Sequence, residues 1–153
     1  MSSLPKAEDV AMVYDADCVF CKILKREIPS FTILEDEQTY AFMDINPANP
    51  GHALVIPKFH APTIFAIPDD WLSACIVTAR KVARAVQNVT PMDGLNIVQA
   101  NGIGAAQSVP HFHFHVMPRT TGDGLGLNWD LVPGNKAEIA ALCEKIKTEL
   151  MNA

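Results

Sequence analysis

Apolar residues recur along this chain with two periods, and the switches between them mark out its elements. Residues 31 to 43 read as two short alternating strands around the polar turn Glu35-Asp36-Glu37, a hairpin signal. "GHALVIP" at 51–57 is a third strand. The intervening "INPANPG" holds two prolines, two asparagines and a glycine, so Asp44 stands at a strand end facing a loop. From Asp69 to Asn88 the apolar positions Trp71, Leu72, Cys75, Ile76, Ala79, Val82, Ala83 and Val86 follow a helical period, with acids in the first turn and bases later. "GLNIVQA" at 94–100 is a fourth strand, and a fifth runs from about 111 to 117 after the loop "NGIGAAQSVP". A closing helix from about Lys136 to Leu150 carries the stripe Ile139, Leu142, Cys143, Ile146 and Leu150. Strands grouped with separate helices, rather than alternating with them, predict an α+β domain: a mostly antiparallel five-stranded sheet with one long and one C-terminal helix.

Composition narrows the class. A chain of 153 residues fits one domain, residues 1–153, and 49% apolar with 19% charged residues reads as soluble and globular. The formal charge of −5, with no basic run longer than Lys25-Arg26 or Arg80-Lys81, speaks against a nucleic-acid partner. Any anionic ligand is then held by a local pocket. The opening "MSSLPKAEDVAMVYDADC" lacks the basic, apolar and cleavage-site progression of a signal peptide, and no eighteen apolar residues run together. The expected setting is cytoplasmic, with no membrane partner. Cys75 and Cys143 sit in helical patterns that read as buried, so the four cysteines are expected as reduced thiols.

The candidate chemistry is concentrated in "HFHFHVMPR" at 111–119. In an extended strand His111, His113 and His115 share one face and Phe112, Phe114 and Val116 the other, which makes the first face a site and the second core. A row of solvated histidines is the plain alternative, but three of the chain's five histidines within five residues weigh against it. One ion bound by all three is disfavoured by reach, because a rise of about 3.3 Å per residue sets the outer two roughly 13 Å apart. The rings therefore hold several jobs along a line. Upstream, Gly102 and Gly104 form a G-x-G loop; without a third glycine and a following helix it is no dinucleotide fingerprint, which leaves a phosphate nest or an ordinary turn. Gln107 and Ser108 add an amide and a hydroxyl there. "CVFC" at 18–21 reads alone as a redox pair, half a zinc site or two small core residues, with His52 and His60 the histidines outside the triad.

Together these residues resemble the histidine triad family, in its nucleotide-binding, purine nucleoside phosphoramidase-like branch. "QSVPHFHFHVMPR" fits the signature, and "CVFCKILKREIPS", "AFMDINPANPGHALVIPKFH" and "NGIGAAQSV" follow the family's order across roughly residues 14–119, with a C-terminal tail and helix over 120–153. Two positions depart: Ala106 replaces a usual glycine and bears on the path of the phosphate loop, and Pro110 replaces a residue more often aromatic and bears on the start of the strand. The resemblance implies a hydrolase or transferase that cleaves a nucleoside monophosphate from an amine or phosphate leaving group through a nucleotidyl-histidine intermediate. His113 would be the nucleophile. His115 and Ser108 would contact the phosphoryl oxygens, with backbone amides near Gln107 helping to stabilise charge. Asp44 would take the ribose hydroxyls, and Phe20, Ile23, Ile28, Phe42 and Ile45 would line the purine pocket. His52 would lie near the phosphate and Asn101 in the loop approaching it. The resemblance further implies a structural zinc on Cys18, Cys21, His60 and His111; without zinc, His111 would join the hydrogen-bond chain that positions His113. No organic cofactor is expected, and the branch commonly forms homodimers by sheet edges and the long helix. Trp129, after the triad, is read as bearing on leaving-group specificity.

Three other functions share these residues. One is a dinucleoside polyphosphate hydrolase, and another a nucleotide-binding regulatory module with little turnover. The third, a zinc metallohydrolase, needs an open coordination position, and two cysteines among the implied ligands favour a closed, structural ion instead.

Overall fold

The computed structural model describes residues 13–153. The reading of the opening segment falls largely on residues 1–12, outside the described residues. The elements in chain order are α1 (Val19–Leu24), β1 (Thr32–Glu35), β2 (Thr39–Met43), β3 (Ala53–Pro57), α2 (Asp69–Val89), β4 (Gly94–Val98), a 3-10 turn at Ile103–Ala105, β5 (Phe114–Arg119) and α3 (Lys136–Asn152). The strands form one sheet in the order β1-β2-β3-β5-β4, with every neighbouring pair antiparallel. The α+β class and the five-stranded antiparallel sheet are as the patterning predicts. The last strand enters between β3 and β4, so His115 pairs with Leu54 on one side and Val98 on the other. A strand paired on both sides is a rigid mount for a side chain.

Alternation sorts the strands' side chains onto two faces. Ala41, Ala53, Val55, Phe112 and Val116 pack with Trp71, Cys75, Ala79, Val82 and Val86 of α2. Tyr40, Phe42, Leu54 and Ile56 pack with Cys18, Phe20, Cys21 and Ile23 at α1. Each large apolar side chain removed from water stabilises the fold by about 1.5–3 kcal/mol, so the two-face division is strongly enforced. α2 begins after Pro68, whose extended backbone suits a helix start, and carries Asp69 and Asp70 in its first turn. The Thr78 hydroxyl of α2 meets the Thr39 hydroxyl of β2 at 2.7 Å, and Thr39 donates in turn to Asp36 Oδ1 at 3.0 Å. Among the described residues no helix is long and apolar enough to cross a membrane.

Three features differ from expectation. The histidine segment joins the ladder only at Phe114: Pro110 has no N–H to give, the His111 N–H turns to the Val109 carbonyl (2.8 Å), and the Phe112 N–H goes to the Ala61 carbonyl (2.6 Å). The alternation survives, with Phe112 in the α2 core. α1 was not visible as an element because six residues are too short to show a period. Its cap is Cys18 itself, whose sulfur accepts from the Cys21 N–H. α3 forms at its predicted place, capped by Asn135, but none of its residues is buried and Cys143 is exposed, contrary to the reading of a buried thiol. Among the described residues nothing covers the apolar stripe of α3.

The buried hydroxyl pair gives a test of how α2 is held to the sheet. Thr39→Val leaves the Thr78 hydroxyl without its acceptor and is expected to cost about 1–3 kcal/mol in denaturant unfolding. Adding Thr78→Val removes the orphaned group, so the double variant should cost clearly less than the two single changes summed.

Candidate active site

The triad is built outward from backbone groups. The His113 ring sets Nδ1 at 2.7 Å from the His111 carbonyl. A carbonyl only accepts, so the hydrogen is on Nδ1 and the lone pair on Nε2. His111 sets Nε2 at 3.0 Å from the Pro57 carbonyl, which by the same reasoning leaves its lone pair on Nδ1. Burial holds His113 neutral by lowering its pKa below that of an ordinary histidine, with the His111 carbonyl pulling the other way. Burial likewise lowers His115 to about 4, the nearby His113 and His52 adding to the effect. The His113 and His115 rings meet edge-on with centroids 4.8 Å apart, and Phe20 stands edge-on to His113 at 5.2 Å.

Behind the triad lies a compact set of donors. Cys18, Cys21, His60 and His111 bring one ligand atom each within 4.8 Å of the others. His111 Nδ1 is 3.4 Å from Cys18 Sγ, 3.6 Å from Cys21 Sγ and 3.3 Å from His60 Nδ1, and Cys21 Sγ is 3.4 Å from His60 Nδ1. Tetrahedral bonds of about 2.3 Å to sulfur and 2.0–2.1 Å to nitrogen put neighbouring ligands about 3.3–3.8 Å apart, so the set fits zinc. The surroundings fit as well. Asp15 N–H points to Cys21 Sγ at 3.4 Å, and Asp15 Oδ2 lies 3.7 Å from His60 Nε2, leaving His60 Nδ1 to face the cluster. Burial pushes the Cys21 thiol up to about 11, a cost that a cation among the sulfurs reverses. Sequence reasoning missed Asp15, for which no spacing signal exists.

The remaining candidates divide by what their polar atoms do. Asp44 Oδ1 accepts from the Asn46 N–H at 2.8 Å, the Asx turn expected of its loop, while Oδ2 lies 3.5 Å from His52 Nε2. His52 Nε2 is in turn 2.9 Å from His115 Nδ1. Phe20, Ile23 and Phe42 are buried in the second core cluster with Ile28 packed against it, whereas Ile45 is 76% exposed at the loop. Asn101 and Gln107 fasten loops. Asn101 Oδ1 takes the Ile64 N–H at 2.7 Å; Gln107 Oε1 takes the Gly102 N–H at 2.8 Å, and its Nε2 gives to the Pro62 carbonyl at 2.6 Å. The backbone N–H of Gln107 is also engaged, by the Gly102 carbonyl at 3.2 Å, and Ser108 between this loop and the triad is exposed. Ala106 adopts φ 57°, the left-handed region that glycine enters freely, at a cost of about 1–2 kcal/mol. Arg119, the end of the signature, forks onto both Asp123 oxygens (2.6 and 2.8 Å), and Asn49 bridges Asp123 and the Pro118 carbonyl. This clasp ties the Asp44 loop to the end of β5. Trp129 is 80% exposed in the segment beyond.

Similarity to known proteins agrees with this geometry. The sequence model of the HIT domain family matches residues 25–122, a span that starts just after the C-x-x-C pair. The adenosine 5'-monophosphoramidase HNT1 of Candida albicans is 41% identical over 144 residues, covering 91% of this chain and 95% of the relative. The crystal structure of the histidine triad nucleotide-binding protein from Candida albicans superposes with a TM-score of 0.81 at 39% identity, over 89% of this chain and 99% of that one. A zinc-bound histidine triad family protein from Mycobacterium smegmatis superposes with a TM-score of 0.68 at 34% identity, over 89% and 96% of the two chains. With the triad, its loop and its sheet all in the positions such a match requires, the chain belongs to the histidine triad (HIT) family.

Proposed function

We propose that the protein hydrolyses nucleoside 5'-phosphoramidates, purine nucleotides such as AMP or GMP derivatives, with His113 as nucleophile. The observation that carries this reading is the bare Nε2 of a buried, neutral His113 whose Nδ1–H is held by the His111 carbonyl. Nε2 attacks phosphorus and forms the N–P bond while the bond to the amine breaks, the amine leaving with a proton from solvent. Water then attacks phosphorus, breaks the bond to His113 and returns a proton, so the sum is phosphoramidate plus water to nucleotide plus amine. His115 and Ser108 steady the phosphoryl oxygens, Asp44 receives the ribose hydroxyls, and the base lies against Phe20, Ile23, Ile28, Phe42 and Ile45. His52, Gln107 and Asn101 support the phosphate end of the site. The relative from Candida albicans named for adenosine 5'-monophosphoramidase activity supports the substrate class.

In this reading Cys18, Cys21, His60 and His111 hold a structural zinc, which when bound supplies rigidity behind the triad. Four protein ligands leave no position for an activated water. The zinc-bound mycobacterial relative supports the assignment. Residues 1–153 are taken as one domain. A homodimer is supported by the apolar groove of Ile76, Val77, Ala83, Leu95 and Ile97 beside the edge strand β4, and four unpaired thiols support a reducing, cytoplasmic setting.

His113→Ala is expected to lower turnover of an adenosine 5'-phosphoramidate by about three orders of magnitude or more while nucleotide still binds. Mass spectrometry of quenched wild type should show an adenylyl adduct on His113; undiminished turnover in the variant would refute the nucleophile. Protonation destroys the Nε2 lone pair, and burial lowers the pKa at which that happens. The acid limb of kcat/KM, corrected for uncatalysed hydrolysis, should therefore have its midpoint below the ordinary histidine value of 6.5, with a flat profile above it. Elemental analysis should find one zinc per chain, lost in Cys18→Ser together with roughly 5 °C or more of Tm, and with a far smaller loss of turnover than His113→Ala. Sedimentation at micromolar concentration should give two chains per particle, and Ile97→Lys should return one.

A further inference from the structure

Asp44, His52 and His115 place one carboxylate and two imidazoles with their ligand atoms within 4.8 Å, a donor set that by composition alone suits a divalent cation. Hydrogen-bond direction assigns it otherwise. The backbone N–H of Ala48 points at His52 Nδ1 from 3.0 Å, and a backbone N–H only donates, so Nδ1 carries the lone pair and Nε2 the hydrogen. That Nε2 faces His115 Nδ1 at 2.9 Å and Asp44 Oδ2 at 3.5 Å. His115 must therefore accept on Nδ1 and keep its own hydrogen on Nε2. A cation ligated by His52 Nε2 would require either an imidazolate or a broken Ala48 bond.

We infer that His52 is a positioning residue: clamped by the Ala48 amide, it donates to His115 Nδ1 and so holds His115 as an Nε2–H donor beside the bare Nε2 of His113. The inference deepens the proposed reaction, because it rests on His115 meeting a phosphoryl oxygen. The opposite tautomer would turn a lone pair toward that oxygen and repel it. His52 is suited to this by its mounting. Its ring is nearly buried, its N–H binds the Asn49 carbonyl (3.1 Å), and its own carbonyl takes the Asp44 N–H (3.1 Å), so ring and loop move as one piece. Asp44, sharing the same Nε2–H, ties the ribose acid to the phosphate donor.

Two amide substitutions separate this role from simple support of the loop. In His52→Asn the side-chain oxygen can stand where Nδ1 stands and accept from Ala48, but nothing reaches His115. In His52→Gln the side-chain nitrogen can stand where Nε2 stands and donate to His115. His52→Asn is expected to lower kcat roughly ten- to hundredfold with KM little changed, and His52→Gln to recover most of that loss. Ring 15N spectra at neutral pH should show His115 with its hydrogen on Nε2 in wild type and His52→Gln, and a mixture of tautomers in His52→Asn. Zinc titration of the wild type should stop at one equivalent. Three results would overturn the inference: a wild-type His115 hydrogen on Nδ1, equal kcat in the two variants, or a second zinc equivalent lost in His52→Asn. If no protein form turns over phosphoramidates, the proposed reaction falls, and the ring spectra still decide whether His52 positions His115.

Discussion

The site depends on one kind of interaction: a backbone group of fixed polarity committed to one ring nitrogen of His52, His111 and His113. Carbonyls of Pro57 and His111 take hydrogens from His111 Nε2 and His113 Nδ1, and the Ala48 amide gives one to His52 Nδ1. A neutral imidazole has one donor and one acceptor, so settling one nitrogen settles the other. Burial keeps these rings neutral and makes each assignment binding. The lone pair of His111 then faces the sulfurs, and that of His113 is bare.

Those backbone groups are available because the chain leaves regular structure where it does. Inside a ladder the carbonyl of residue 111 would be spent on a neighbouring strand. Pro110 cannot donate, the His111 N–H turns to the Val109 carbonyl and the Phe112 N–H to the Ala61 carbonyl, and the His111 carbonyl is left for the His113 ring. Two residues later the chain enters β5 and is paired on both sides, so His115 is held by the sheet itself. Three rings at one spacing thus stand on three mounts: a cysteine–histidine cluster, a turn carbonyl and a central strand.

Much of this was legible because period and composition report burial. The alternation of 111–116 placed Phe112 and Val116 in the core and the rings opposite, and the stripe from Trp71 to Val86 located α2 to within a residue. The resemblance to the histidine triad family, not spacing, implied Cys18, Cys21, His60 and His111 as a set, and the fold brings the four together. What was not legible is of two kinds. Backbone partners such as the Ala48 amide and the Pro57 carbonyl have no side-chain identity to read, nor does the exit of the chain from the ladder before Phe114. Burial that depends on what lies across from an element was also hidden: α3 has a helical stripe like α2's, yet nothing among the described residues covers it, and Cys143 stays exposed.

His111 shows how closely the two halves of the centre are joined. Its ring belongs to the cluster with Cys18, Cys21 and His60, while its carbonyl, four bonds from the ring, holds the hydrogen of His113. Holding the ring restrains the backbone that carries this carbonyl, whose bond to Nδ1–H sets the direction of the His113 lone pair. The cluster needs no contact with substrate to matter for reaction geometry. Nor does a ring held from behind in this way need to carry a proton itself. In the proposed reaction the first histidine of the triad would act through its main chain and the second through its side chain, with the third aligned from the far side by His52.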